Sequence, residues 1–408
     1  MIALLFTAHG YAAPTTTYTA TLTVSAGAVD RAAGSSVAKK LNLADLAGSS
    51  SIDAGSVKMS VPYQCKPHHG PATSRRPARP PLSACNWRRS VDPDPDFATS
   101  KSGEVVFLLD SALKAGASRE YTLTFGSTPT TNPTKALVIA SDGTDEGQDA
   151  RIVKSAAQTF KYEKSAGAFS SLEDPQGADW IDNHPHAVAP GSAGEYRGVP
   201  NFERGHKCCY HPQMTSNVYT PLPSGPVRQS WRGIVINNGG EGYKQGNWSA
   251  RFDVYPERAT ITMEENADTY WMMYESGGPV GKSMADAKTQ YIARPDGSQT
   301  TMDKGFAVAE NKEAEQFYSM CDPATKQSMF FVHHEGNAKV YYTPQSTMTV
   351  FGFGRDPSLS KFPHGALDGR HTLSLGIVQN GLDFAEQQTR AKGLIHPASV
   401  DVKLATEM

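Results

Sequence analysis

Residues 160–181 read FKYEKSAGAFSSLEDPQGADWI. A strand-like run of alternating character leads into a glycine-bearing turn, and the chain then continues as SSLEDPQGADW, where Pro and Gly break an acidic segment. On both sides of this stretch the same grammar repeats. Short segments rich in β-branched and aromatic residues are separated by Gly, Asn, Pro and Asp. Candidate strands lie at 156–164, 227–237 (VRQSWRGIVIN), 248–256 (WSARFDVYP), 258–266 (RATITMEEN), 269–275 (TYWMMYE), 327–335 (QSMFFVHHE), 346–354 (STMTVFGFG) and 371–380 (HTLSLGIVQN). So many strands at this spacing predict an all-β body, a large antiparallel sandwich rather than a parallel α/β sheet. One short C-terminal helix is expected in GLDFAEQQTRAKG, 381–393, with Asp383 as N-cap and Gly393 as its stop.

Upstream, TYTATLTVSAG (17–27), SVKMSVPYQ (56–64) and the two strands within 103–126 predict a small N-terminal β-sandwich over 17–126. It is interrupted at 65–90 by a stretch with six Lys/Arg, five Pro and no acid. That insertion has no apolar period and is read as irregular, with no function built on it. Residues 127–150 are rich in Thr, Pro, Gly and Asp and read as a linker, which leaves 151–396 as the large domain. The opening MIALLFTAHGYAA, 1–13, has an apolar run ending in small residues and is expected to be a signal peptide, hence a secreted, extracellular protein. A buried first strand is the other reading.

The 408 residues, with 36 Gly and 27 Pro, carry 39 Lys+Arg against 41 Asp+Glu, a formal charge of −2. That balance argues against nucleic acid and an anionic membrane surface as partners, but leaves room for a local Arg/His cluster that grips an acidic ligand. Beyond the N-terminus no stretch approaches the ~20 apolar residues of a membrane span. Of five cysteines, Cys208 and Cys209 are too close in sequence to bond each other without strain, and Cys321 is the natural partner for one of them.

The motifs SSLEDPQGADW, GEYRGVPN (194–201), YWMMYESGGPVG (270–281), FFVHHEGN (330–337) and MTVFGFGR (348–355) carry a resemblance. Over roughly 150–395 the chain resembles the galactose-mutarotase-like β-supersandwich domains of carbohydrate-active enzymes, among them polysaccharide lyases, and secreted β-rich proteins of polysaccharide-degrading microbes. The pattern has GTPGG where this chain has SGGPVG. The resemblance implies a supersandwich fold and a polysaccharide or oligosaccharide substrate. It does not name a reaction, since one fold hosts many.

The residues supply candidates for three readings. In the first, a lyase removes the proton next to a uronate carboxylate, which requires a base, an acid and groups that neutralise the carboxylate. His333 or His334 would be the base, Tyr274 the acid, and Arg197, Arg355 and Asn201 the neutralisers. On an alternating strand His333 and His334 face opposite ways, and Glu335 shares the face of His333. His211, Arg258, Tyr270 and Glu275 complete the expected site, with Tyr270, Met272 and Tyr274 on one face of their strand and Trp271, Met273 and Glu275 on the other. In the second, a hydrolase would pair two carboxylates from Glu275, Glu335, Glu195 and Asp253. In the third, a binding protein would use Trp180, Trp231, Trp248, Trp271 and Tyr270 as stacking platforms. No cofactor is called for. His206, Cys208, Cys209 and His211 lack familiar zinc spacing, so a divalent metal, structural or catalytic, stays open but is not indicated.

Overall fold

The computed structural model describes residues 17–47, 53–61, 87–89, 91–93, 102–126, 136–164, 166–182, 199–200, 214–237, 246–267, 269–276, 288–308, 315–344, 349–354, 367–379 and 381–407. The architecture is all-β, with antiparallel sheets and, among the described residues, a five-residue helix, Leu43–Ala47, and a longer one, Phe384–Ile395. Its main layer is a nine-stranded sheet. In spatial order the strands are Met214–Pro221, Gln229–Asn237, Gly246–Tyr255, Arg258–Asn266, Thr372–Val378, Gln327–His333, Gln316–Asp322, Tyr291–Ala293 and Gln299–Thr301. Two four-stranded sheets share one apolar core with it. One joins Met272–Ser276, Thr349–Phe353, Val340–Pro344 and Phe306–Val308; the other joins Ala168–Glu173, Thr159–Glu163, Gln148–Lys154 and Ile139–Asp145.

Period-two patterning decides which face each side chain takes. Along Arg258–Asn266, Ala259, Ile261 and Met263 enter the core between the sheets. Arg258, Thr260 and Thr262 are left on the outer face of the large sheet. The strands Gln316–Asp322 and Gln327–His333 are buried at every position, as strands covered on both faces must be. Met320, Met329 and Phe331 meet the inter-sheet core, while Phe317, Phe330 and Val332 meet the helix through Ala391, Phe384, Leu394 and Ile395. Each such fully buried side chain contributes about 1.5–3 kcal/mol of transfer free energy.

The stretch 160–181 forms a hairpin of Thr159–Glu163 with Ala168–Glu173, then a turn built on Asp174. The Asp174 carboxylate accepts the amides of Gln176 and Ala178 and the indole N–H of Trp180, which is fully buried. Gly177 sits there at φ +83°, the left-handed region that disfavours a Cβ.

The N-terminal part pairs a five-stranded sheet with a three-stranded one over their own core of Leu22, Val24, Phe107, Tyr121, Leu123 and Phe125. The final strand, Ser399–Glu407, returns to pair with Thr17–Ser25, so both ends of the described chain close this sheet. The three-stranded sheet covers part of the large sheet's outer face. Val106 packs on Val227 and Tyr255, and Glu104 is ion-paired to Arg228 at 2.5 Å.

Several expectations change. The linker assigned to 127–150 contains a strand, Ile139–Asp145, hairpinned to Gln148–Lys154, because the run SDGTD lies on a sheet edge where Ser141, Asp142 and Thr144 stay exposed while Asp145 is buried against Lys161. Within the basic insertion Trp87–Arg89 is a strand paired with Met59–Val61, and the remainder from 65 to 86 lies outside the described residues, as do 1–13. The helix runs past Gly393 to Ile395, since its last turn is anchored by packing on the sheet. Its start is as expected, with Asp383 accepting from Ala385 and Glu386. Cys321 carries a free, buried thiol beside Gln387. Cys208 and Cys209 are outside the described residues.

Candidate functional site

The outer face of the large sheet, the three-stranded sheet and the C-terminal helix enclose a cleft of about 490 Å³. Its floor is the polar half of three adjacent strands. Thr260 and Thr262 come from one, Thr372 from the next, whose buried Ser374 bonds to this floor, and His334 from just beyond the third. These side chains form a continuous chain of bonds: Arg258 Nε donates to Thr260 Oγ1 at 3.3 Å, Thr260 Oγ1 lies 2.8 Å from Ser374 Oγ, and Ser374 Oγ lies 2.9 Å from His334 Nε2. Burial, then the charge of Arg258, pushes His334 down to about 4, so the ring is neutral at neutral pH.

The walls are rich in guanidinium. Arg258 stacks over Tyr255 at 4.1 Å, donates to Ser36 Oγ at 2.6 Å, and is ion-paired to Glu257. Burial raises the Glu257 carboxyl above its ordinary value. Gly376 makes room for this corner, since a Cβ there would lie 2.4 Å from the Glu257 carbonyl. Arg390 pairs with Glu386 on its own helix. Arg31 is different. It is 3% exposed, and among the described residues its N–H groups reach only carbonyl oxygens, those of Ala26 and of Gly393, the latter at 2.6 Å. Among the described residues neither Arg31 nor the exposed Arg370 has a carboxylate partner.

On the opposite face, at the same sheet end, lies a second cluster. His333 is fully buried. Its Nδ1 lies 2.8 Å from Gln316 Oε1 and its Nε2 lies 2.9 Å from His371 Nδ1. Glu335 Oε2 is 3.6 Å from His333 Nε2 and 3.9 Å from His371 Nδ1, and it accepts the amide of Thr372 at 2.8 Å. These ligand atoms are close enough to share a cation. Burial, then the neighbouring histidines, pushes His333 down to about 3.

The structure divides the expected site. Arg258, His334 and Glu335 line the cleft, and His333 faces the other way, as the alternation requires. Tyr274 and Tyr270 are corrections. Tyr274 is 1% exposed and donates to the main-chain oxygen of Trp180 at 2.5 Å; Tyr270 is 0% exposed and donates to that of Gly369 at 2.8 Å. Their strand face is the inter-sheet core, so neither reaches a ligand and Tyr274 is not placed to be an acid. Glu275 lies opposite Val350 in the sheet register. Its side chain, with Arg197, Asn201, His211 and Arg355, lies outside what the structure describes, as does Glu195. Asp253 is bound by Arg251 and Ser230 and by Arg228 at 3.7 Å, which makes it a structural anion. Trp180, Trp231, Trp248 and Trp271 are all buried and cannot serve as stacking platforms. Sequence reasoning missed His371, Arg31 and Arg370. His371 opens a correctly read strand, which was the one local signal, while its pairing with His333 came only with the tertiary structure; Arg31 had no signal.

No family model matches the chain, and no curated protein does. Among solved structures, the chain is similar to an alpha-mannosidase from Enterococcus faecalis V583 at 9% identity and TM-score 0.49, over 95% of this chain and 46% of that one. A glycosyl hydrolase family 38 protein from Enterococcus faecalis aligns at 7% identity and TM-score 0.49, over 95% and 47%. A galactose 1-epimerase from Lactobacillus acidophilus NCFM aligns at 8% identity and TM-score 0.34, over 60% and 99%. The chain thus spans about half the length of the two Enterococcus proteins. At such identities each is a likeness and no more.

Proposed function

We propose that this chain is a carbohydrate-active protein that takes an acidic glycan into the cleft beside the helix and cleaves it by β-elimination, as a polysaccharide lyase. The observation that carries the reading is Arg31. A buried guanidinium is ordinarily matched by a carboxylate, and here, among the described residues, the match is made only with neutral carbonyls at the wall of a polar cleft. Arg370 adds a second positive group without a carboxylate partner among the described residues, and Arg258 a third that is partly offset by Glu257. A uronate carboxylate is the complementary ligand, because guanidinium binds it through two parallel hydrogen bonds.

The chemistry follows from the floor. When Thr260 accepts from both Arg258 and Ser374, Ser374 in turn accepts from His334 Nε2–H. The lone pair then sits on Nδ1, which has no protein partner among the described residues. His334 Nδ1 removes the proton next to the uronate carboxylate, and the guanidinium groups hold the charge that builds on it. The electron pair forms the new C=C bond and expels the glycosidic oxygen. The proton returned from His334 completes a syn elimination, so one residue serves as base and acid and the buried Tyr274 is not needed.

The test is a screen of purified protein on uronate-containing and neutral polysaccharides, following reducing ends together with the ultraviolet absorbance of the unsaturated product. Absorbance that rises with reducing ends on uronates supports the lyase. Reducing ends without absorbance would indicate hydrolysis, and binding without either would leave a carbohydrate-binding protein.

A further inference from the structure

We infer that His333 Nε2, His371 Nδ1 and Glu335 Oε2 form a binding site for one divalent transition-metal ion at the end of the large sheet, with the two histidines outside the lining of the cleft. The inference does not depend on what the cleft binds.

The first argument is tautomeric. Gln316 Nε2 donates to the Ala338 carbonyl at 2.6 Å, and Gln316 Oε1 accepts the Ala338 amide at 3.1 Å, so the amide orientation is fixed. Oε1 can therefore only accept from His333, which places the proton on Nδ1 and a lone pair on Nε2. A histidine whose second nitrogen donates to a fixed protein oxygen is the usual arrangement of a metal ligand. That lone pair belongs to a fully buried ring and lies 2.9 Å from His371 Nδ1 and 3.6 Å from Glu335 Oε2.

The second argument is metric. With separations of 2.9, 3.6 and 3.9 Å, the point equidistant from the three atoms lies about 2 Å from each. Zinc–imidazole and zinc–carboxylate bonds span ~2.0–2.2 Å. Tetrahedral ligation would part the two nitrogens to about 3.3 Å. Rotation of the partly exposed His371 ring supplies those few tenths of an ångström. Two imidazoles and one carboxylate favour zinc or a neighbouring first-row ion over magnesium or calcium, which prefer oxygen. The exposed sides of Glu335 (35%) and His371 (18%) leave the remaining coordination positions open to solvent.

The experiment strips the full chain with EDTA and titrates it with Zn²⁺ against a chromophoric chelator, with Co²⁺ absorption as a second readout. His371→Ala and Glu335→Gln are the variants, chosen because both side chains reach solvent and can be lost without opening the core. His396→Ala is the control, a surface histidine near Glu315. The native protein and the control should bind one equivalent more than His371→Ala does, and Glu335→Gln should bind at least about tenfold more weakly. The Co²⁺ visible bands should vanish in His371→Ala. Folding of each variant is checked by far-ultraviolet circular dichroism. Equal stoichiometry and affinity in native protein and both variants would overturn the site and leave a histidine–histidine hydrogen bond, as would an absence of Zn²⁺ binding by the native chain.

Discussion

Arg31, in the turn after the first strand, donates to the carbonyl of Gly393 in the C-terminal helix at 2.6 Å, across 362 residues of chain. This bond ties the N-terminal part to the helix and sets one wall of the cleft. It also leaves a cation where a ligand's carboxylate could sit. Replacing Arg31 by Met should therefore act twice. Denaturant titration should show a loss of about 1–3 kcal/mol, because buried carbonyls lose a charged donor. Calorimetry with an oligouronate should show binding weakened about tenfold or more.

Arg370 separates the two effects. Its side chain is exposed and carries no ion pair among the described residues, so Arg370→Ala should change stability by no more than about 0.5 kcal/mol. Acidic-glycan affinity should still fall, and the dependence of affinity on salt should become shallower. Unchanged affinity would remove Arg370 from the binding surface.

His334→Ala should reduce turnover of a uronate polymer by about 10²–10⁴-fold with the fold intact, the usual cost of a lost general base. His396→Ala should not. A His334→Ala protein with near-native turnover would move the base elsewhere.

Tyr274→Phe probes the corrected assignment. It removes the hydroxyl bonded to Trp180 O and should cost about 1 kcal/mol on thermal or chemical unfolding. Turnover should stay within about twofold of native. A large loss of turnover with little loss of stability would return Tyr274 to the chemistry.

Acid should unfold this protein partly through two histidines. Burial holds His333 down to about 3 and His334 down to about 4, against an ordinary value of 6.5. Between those values the unfolded chain binds protons that the folded chain does not. The stability is thus fully present above pH 6.5 and is lost as pH falls toward 4 and then 3. In EDTA, the thermal midpoint of native protein should fall more steeply over this window than that of His334→Gln. Parallel curves would show that His334 is not titrating in the transition.

The sequence by itself determined the β class, most strand positions of the large sheet, the helix start at Asp383 and the opposition of His333 to His334. Each follows from period-two alternation or from capping, which are local rules carried by neighbouring residues. Local rules also placed Tyr270 and Tyr274 on one face of their strand. They could not say that this face is the core. Burial depends on which sheet covers it, and only the packing of Met272–Ser276 against Phe331 of the large sheet decided that. The cleft is likewise a product of tertiary structure. Arg31, Arg258, His334 and Arg370 come from distant segments, and Arg31 and Arg370 are ordinary surface residues when read alone. Their convergence required the first and last strands to pair and the helix to fold back on the outer face. His371 gains meaning in the same way. Thirty-eight residues from His333 in sequence, it becomes its neighbour because Gln327–His333 and Thr372–Val378 are adjacent strands whose register sets His333 opposite Leu373. Strand partners and register over such separations are fixed by the global minimum of burial and hydrogen bonding, a quantity no single segment carries.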